Sequence, residues 1–243
     1  MSAPTGRSPG RPASPAAGPG AVTASRGSVL SAAARRRAAH IAPVLFWVAV
    51  AVTVAGFAAR LGDGGPMGVF AAAFVAANLG WLLLETPVTF RRPSAPPREV
   101  ATLVTYALTR VATMSAAILV PPPWAPSPWL AVPVLLFISG VLLRVVAMRE
   151  LGRFYSHLVI RRDDHLIVRT GPYRSVRHPA YAGMLLGHAG LVLFFLNPAS
   201  AALLAALAAV IGWRIRVEER ELMAVPAYRA YAAGRPRLVP GLW

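Results

Sequence analysis

Six long apolar runs, at 41–59, 68–84, 100–120, 129–148, 180–196 and 199–217, decide what this chain can fold into. About 20 residues carry a helix across roughly 30 Å of hydrocarbon, and each run is close to that length. In lipid a spanning segment of this length must satisfy its own backbone, which a helix does and a lone strand does not. The composition agrees: 56% of residues are hydrophobic and 14% charged, where soluble domains carry roughly a quarter charged residues. The runs predict an all-α, polytopic membrane protein with about six transmembrane helices. The last two are separated by little more than Asn197-Pro198, which predicts a tight helical hairpin.

Charge sets the expected topology. All 25 basic residues are Arg, against nine acids, and the isoelectric point is near 11.8. So basic a chain raises the question of nucleic acid, but the distribution of the charge answers it differently. With the N-terminus in the cytoplasm and the runs alternating, 22 Arg fall inside and only Arg60 outside; Arg110 and Arg144 lie within runs. That asymmetry follows the positive-inside rule and places both termini in the cytoplasm. Anionic lipid headgroups, rather than nucleic acid, are the partner it implies. Residues 1–38 are rich in Pro, Gly, Ser and Ala, with six Arg and no acid. That composition predicts a disordered basic tail, with a transit peptide as the alternative. There is no Cys, so disulfides, thiolate chemistry and lipid attachment through Cys are excluded. The chain therefore divides into a tail (1–38), four transmembrane helices (39–148) and a more polar C-terminal region (149–243).

Chemistry concentrates in the stretch 149–179, RELGRFYSHLVIRRDDHLIVRTGPYRSVRHP, on the inner side. A short alternating segment (Leu158 and Ile160, then Leu166 to Val168) precedes a Gly171-Pro172 turn. Pro179 suits the first helical position of the fifth run, with His178 at its cap, and helix N-termini attract anions. A polar ligand at the membrane face is the expectation. The sixth run leaves the membrane as WRIRVEERELM, where Arg214 and Glu218 share a helix face. Glu218 and Glu219 also admit a plainer reading, a solvated helix end beside Arg216 and Arg220. Other positions read structurally. His188 is a core residue, Gly183, Gly187 and Gly190 pack against the Ala-rich sixth run, and Arg144 snorkels to the inner face. Trp81, Trp124 and Trp129 are interfacial anchors. Arg110, near the middle of the third run, is a functional candidate. His157, His165, Asp163 and Asp164 match no standard metal spacing, so no metal is expected.

HLIVRTGPYRSVRHPAYAG, Asn197-Pro198, RIRVEERELM and YRAYAAGRPRLVP together resemble the isoprenylcysteine carboxyl methyltransferase family, part of a wider group with the phospholipid N-methyltransferases. The resemblance covers roughly residues 150–243. It implies a cytosolic S-adenosylmethionine pocket built from the loop, the hairpin and the C-terminal segment. By motif, it assigns His165, Leu166, Ile167, Val168, Tyr173, His178, Pro179, Ala180, Tyr181 and Glu218 to the cofactor, and Arg214 to the substrate. It also puts Leu158 where the family has a polar cofactor contact, a departure for which His157 is the available substitute.

These side chains suit that cofactor on chemical grounds as well. Glu218 can pair with its amine or ribose, and Tyr173 and Tyr181 offer faces to a sulfonium or adenine. Backbone amides near His178 can receive its carboxylate. A carboxylate acceptor is already ionised at neutral pH and needs orientation, which Arg214 supplies. An amine acceptor must shed a proton, to Glu219 or His178. The acceptor implied by the resemblance is a carboxylate on an isoprenoid or other lipid chain, entering laterally from the bilayer. Phospholipid N-methylation is the alternative within the group. A sterol-type reductase with a similar RHPxY loop and NADPH is the alternative outside it.

Overall fold

The computed structural model describes residues 32–90, 100–152, 167–241 and 243, and the regular structure among them is helical. The helices are α1 (Ala32–Gly62), α2 (Gly65–Leu84), the single turn α3 (Thr86–Thr89), α4 (Val100–Ile118), α5 (Ala131–Leu151), α6 (Pro179–Phe194), α7 (Pro198–Leu222) and the short α8 (Pro226–Ala232). Segments within α1, α2, α4, α7 and 128–151 are long and apolar enough to cross a membrane, which fits a multi-pass integral membrane protein. The fifth apolar run is the exception to the expected six. It forms the 16-residue α6, about 24 Å long at 1.5 Å per residue. Helix α6 stops early because Phe195 turns out of helical geometry and Asn197 is extended ahead of Pro198; a residue before proline is pushed out of the α region. Asn197 then caps α7, its side chain accepting from the Ser200 amide at 2.9 Å.

Helix α1 starts at Ala32, inside the stretch read as a tail. Ala and Arg, which dominate 32–39, are good helix formers. The rest of the predicted tail lies outside the described residues.

Packing departs from chain order. Helix α6 lies along α5, whereas α7 lies along α4, which also packs on α1. The glycine stripe of α6 therefore faces α5, not α7 as the sequence suggested. A Cβ on Gly140 of α5 would come within 2.2 Å of the Gly187 amide nitrogen, and one on Gly190 within 2.4 Å of the Phe137 nitrogen. Glycines let two membrane helices meet backbone to backbone, and α5 supplies the matching Gly140. Helices α6 and α7 are linked by three residues, yet each packs more extensively on another element than on its neighbour in the chain.

The bundle also buries charge. Glu85, which follows α2, accepts from Trp81 Nε1 at 2.8 Å and Arg110 Nη1 at 2.6 Å, and from Arg144 Nε. Arg144 also donates to the Ala180 carbonyl at 3.0 Å, and its guanidinium carries no exposed surface. It does not snorkel: a carboxylate within reach inside the bundle outcompetes the interface. Trp81 is likewise buried rather than interfacial, with Arg110 stacked 5.1 Å from its ring centre. At the opposite end Trp124 bonds the Leu193 carbonyl at 3.1 Å, and Trp129 is 81% exposed.

Candidate active site

The end of the bundle that holds Arg144 and Ala180 also gathers the start of α4, the exit of α7 and the C-terminal segment. Helix α6 begins at Pro179, with His178 in a non-helical conformation just before it. The His178 ring makes no capping bond; its Nε2 lies 3.1 Å from Glu219 Oε1. Arg177 Nη1 donates to the same oxygen at 2.8 Å, and Arg237 Nε to Oε2 at 2.7 Å. The backbone repeats the connection, with the Arg177 and His178 amides bonding the Pro236 and Arg237 carbonyls at 2.9 Å each. Glu219, near the end of α7, thus pins the loop before α6 and the C-terminal segment to one another.

One turn inside, a second cluster forms. Tyr181 donates to Glu218 Oε2 at 3.1 Å and accepts from Arg214 Nε at 2.8 Å. Arg214 and Glu218 lie four residues apart on α7, as the spacing predicts for one helix face, and a tyrosine from α6 bridges them. Arg214 is only 2% exposed. Its Nη1 donates to Thr102 at 3.1 Å, and its guanidinium carbon lies 5.9 Å from the Tyr106 ring. The Tyr106 ring meets that of Tyr181 edge-on at 6.4 Å.

A smaller apolar cluster, distinct from the main core, closes the polar side. It contains Tyr173, Ala180, Tyr228 and Tyr231, with Ile167 and Val168 packed against it. Tyr231 donates to the Tyr173 carbonyl at 2.8 Å and so ties α8 to the GPYR turn. Burial pushes the Tyr228 phenol well above its ordinary range, helped by Glu219 and Glu218; burial raises Tyr231 too. Both stay neutral donors at physiological pH. The Tyr228 hydroxyl is buried and has no hydrogen-bond partner among the described residues. A buried donor left unmatched is uncommon in a folded protein, and a polar ligand beside Glu218 would satisfy it.

Tyr173, His178, Tyr181, Arg214, Glu218 and Glu219 therefore come together at one end of the molecule. Pro179 and Ala180 are buried there, the latter through its carbonyl contact with Arg144. His165 and Leu166, with Leu158 and His157, lie outside the described residues. Among the described residues no group of three His, Asp or Glu is placed to hold a metal ion.

This site falls largely in a region with known relatives. Residues 132–224 match the isoprenylcysteine carboxyl methyltransferase family. Over 92 residues the chain is 39% identical to protein-S-isoprenylcysteine O-methyltransferase of Saccharomyces cerevisiae, covering 37% of this chain and 38% of that protein. It is 38% identical over 85 residues to protein-S-isoprenylcysteine O-methyltransferase B of Arabidopsis thaliana, covering 34% and 41%. It is 32% identical over 121 residues to the Rattus norvegicus protein-S-isoprenylcysteine O-methyltransferase, covering 47% and 41%. The chain thus spans about two fifths of the length of these relatives.

The matched segment holds Arg144, His178, Tyr181, Arg214, Glu218 and Glu219, but not the whole site. Glu85, Thr102 and Tyr106 come from before it, and Tyr228, Tyr231 and Arg237 from after it. Sequence reasoning passed over Glu85, Thr102 and Tyr106, while Tyr228, Tyr231 and Arg237 stood in the YRAYAAGRPRLVP motif without an assigned role. One available signal was the spacing of Thr102, Tyr106 and Arg110, four residues apart each time, which puts a polar stripe on one face of α4.

Proposed function

We propose that this chain is an integral membrane methyltransferase that uses S-adenosylmethionine to methylate the carboxylate of a lipophilic acceptor. The observation that carries the reading is the Tyr181–Arg214–Glu218 cluster, in which Arg214 is buried and Tyr181 and Glu218 are partly buried. It sets a guanidinium against the apolar bundle and a carboxylate toward the aromatic polar side. When bound, S-adenosylmethionine supplies a methyl group on a cationic sulfur, so transfer to a carboxylate cancels charge. Little is then required of the protein beyond alignment of the reacting atoms.

Glu218, Tyr173 and the unmatched Tyr228 hydroxyl suit the amine, ring and polar edges of the donor. Arg214 suits the carboxylate, which a guanidinium orients better than a point charge does. Its position, already fixed by Tyr181 and Thr102, favours an anionic acceptor over an ammonium-bearing phospholipid head, which a buried guanidinium would repel. Glu219 is occupied by Arg177, His178 and Arg237, and its part in this reading is to hold the loop and the C-terminal segment around the donor. The Arg distribution supports a site open to the cytoplasm, with both termini on that side among anionic headgroups.

Calorimetry with S-adenosylhomocysteine, and transfer assays with methyl-labelled donor, test the proposal. Wild-type protein is expected to bind S-adenosylhomocysteine and to form a base-labile label, as an ester does. Arg214→Ala is expected to keep cofactor binding and lose transfer by at least about a hundredfold, the scale of a lost charge-assisted contact. A base-stable label would indicate an amine acceptor, and binding of NADPH in place of S-adenosylhomocysteine would indicate a reductase. Either result overturns the proposal.

A further inference from the structure

We propose that the Tyr106 hydroxyl is a second donor to the acceptor's carboxylate, so that the substrate site extends from α7 onto α4. The inference rests on the methyltransferase reading and deepens it. Tyr106 is 4% exposed, and its hydroxyl finds no hydrogen-bond partner among the described residues. Leaving a buried hydroxyl unmatched costs more than a typical hydrogen bond gains, so a chain that places one there has a ligand as the natural explanation.

The neighbours define which ligand. The Tyr106 ring forms one wall of the Arg214 cluster, 5.9 Å from the guanidinium carbon and edge-on to Tyr181. The Tyr181 hydroxyl is already engaged on both sides, by Arg214 and by Glu218. Thr102, one turn earlier on α4, is engaged by Arg214. Tyr106 is therefore the uncommitted hydroxyl of this cluster. A hydroxyl donor on a ring that borders a guanidinium suits an oxyanion and disfavours an ammonium head. Tyr106 also lies within the apolar stretch Ala101–Ile118, where a lipid-anchored carboxylate arrives more readily than the water-soluble donor. These features assign the hydroxyl to the acceptor rather than to the cofactor.

Tyr106→Phe removes the oxygen and keeps the ring, so the wall and its packing survive; thermal unfolding in detergent checks this. The full-length protein is assayed with an S-isoprenylated cysteine as acceptor probe, and its carboxamide is used as a competitor. The expected result is a roughly ten- to hundredfold fall in kcat/KM for the acid, with S-adenosylhomocysteine affinity unchanged. The preference for the acid over its carboxamide is expected to narrow by a similar factor. Unchanged acceptor kinetics overturn the assignment, and so does a loss confined to cofactor affinity, which would move the hydroxyl to the donor side. Wild-type protein that binds no S-adenosylhomocysteine overturns the methyltransferase reading, and this assignment with it. Arg214→Ala serves as the reference, since its acceptor loss should exceed that of Tyr106→Phe.

Discussion

A single carboxylate, Glu85, receives two guanidiniums and an indole inside the bundle. A buried ion pair adds little net stability, but removing one partner leaves the other charged and dry. Glu85→Gln is therefore expected to destabilise the protein by about 3–5 kcal/mol, read as a fall in the thermal unfolding midpoint in detergent. Arg110→Met should be milder, because Arg144 keeps its carboxylate. The double variant should lose less than the sum of the two, because they share one interaction. This cluster was only partly legible in the sequence. Arg110 announced itself by its depth in an apolar run. Trp81 and Arg144 did not, because hydropathy gives the distance from a helix end and not the face on which a side chain sits. The site residues divide in the same way. Arg214 and Glu218 could be paired from their spacing on one helix. Their link through Tyr181, and the approach of Thr102 and Tyr106, needed the arrangement of three helices.

The contact between α5 and α6 turns on glycines at which even a methyl group has no room. At Gly140 the added Cβ would meet backbone of α6 at 2.2 Å, and at Gly187 it would meet the edge of the Trp81 ring at 3.0 Å. A ring can yield by rotation where a backbone cannot. Gly140→Ala is accordingly expected to destabilise by roughly 1–3 kcal/mol, the range for overpacking, and Gly187→Ala by less, in paired thermal unfolding measurements. Because α6 carries Tyr181 and follows directly on His178, the first substitution should also reduce the proposed methyl transfer. At this scale the apolar runs marked the helices well, and the stripe of Gly183, Gly187 and Gly190 identified a close-packing face. The partner of that face was misread because neighbours in the chain were taken for neighbours in space. Helix α8 was missed altogether: seven residues with two tyrosines and an arginine carry no strong periodic signal, and tertiary contacts hold the helix in place.

For the whole molecule, the Arg asymmetry makes a topological prediction that the natural absence of cysteine makes easy to check. Ala125→Cys and Ser175→Cys place single thiols at exposed positions toward opposite ends of the bundle. In sealed cells or inverted vesicles, a membrane-impermeant maleimide should label Cys at 125 from the outside and Cys at 175 from the cytoplasmic side. Labelling of both from one side would refute the proposed topology. The family match and the site overlap without coinciding: residues 132–224 supply most of the site, while Glu85, just after α2, and Thr102 and Tyr106 of α4 lie outside the match.

That division of labour bears on how such proteins diversify. The wall built from α4 can be reshaped, residue by residue, while the loop and helices that would grip the methyl donor stay as they are. Under the proposed reading, a lineage could then adopt new lipids as clients without reinventing its reaction, and kinship would persist in the second half of the chain long after it had faded from the first.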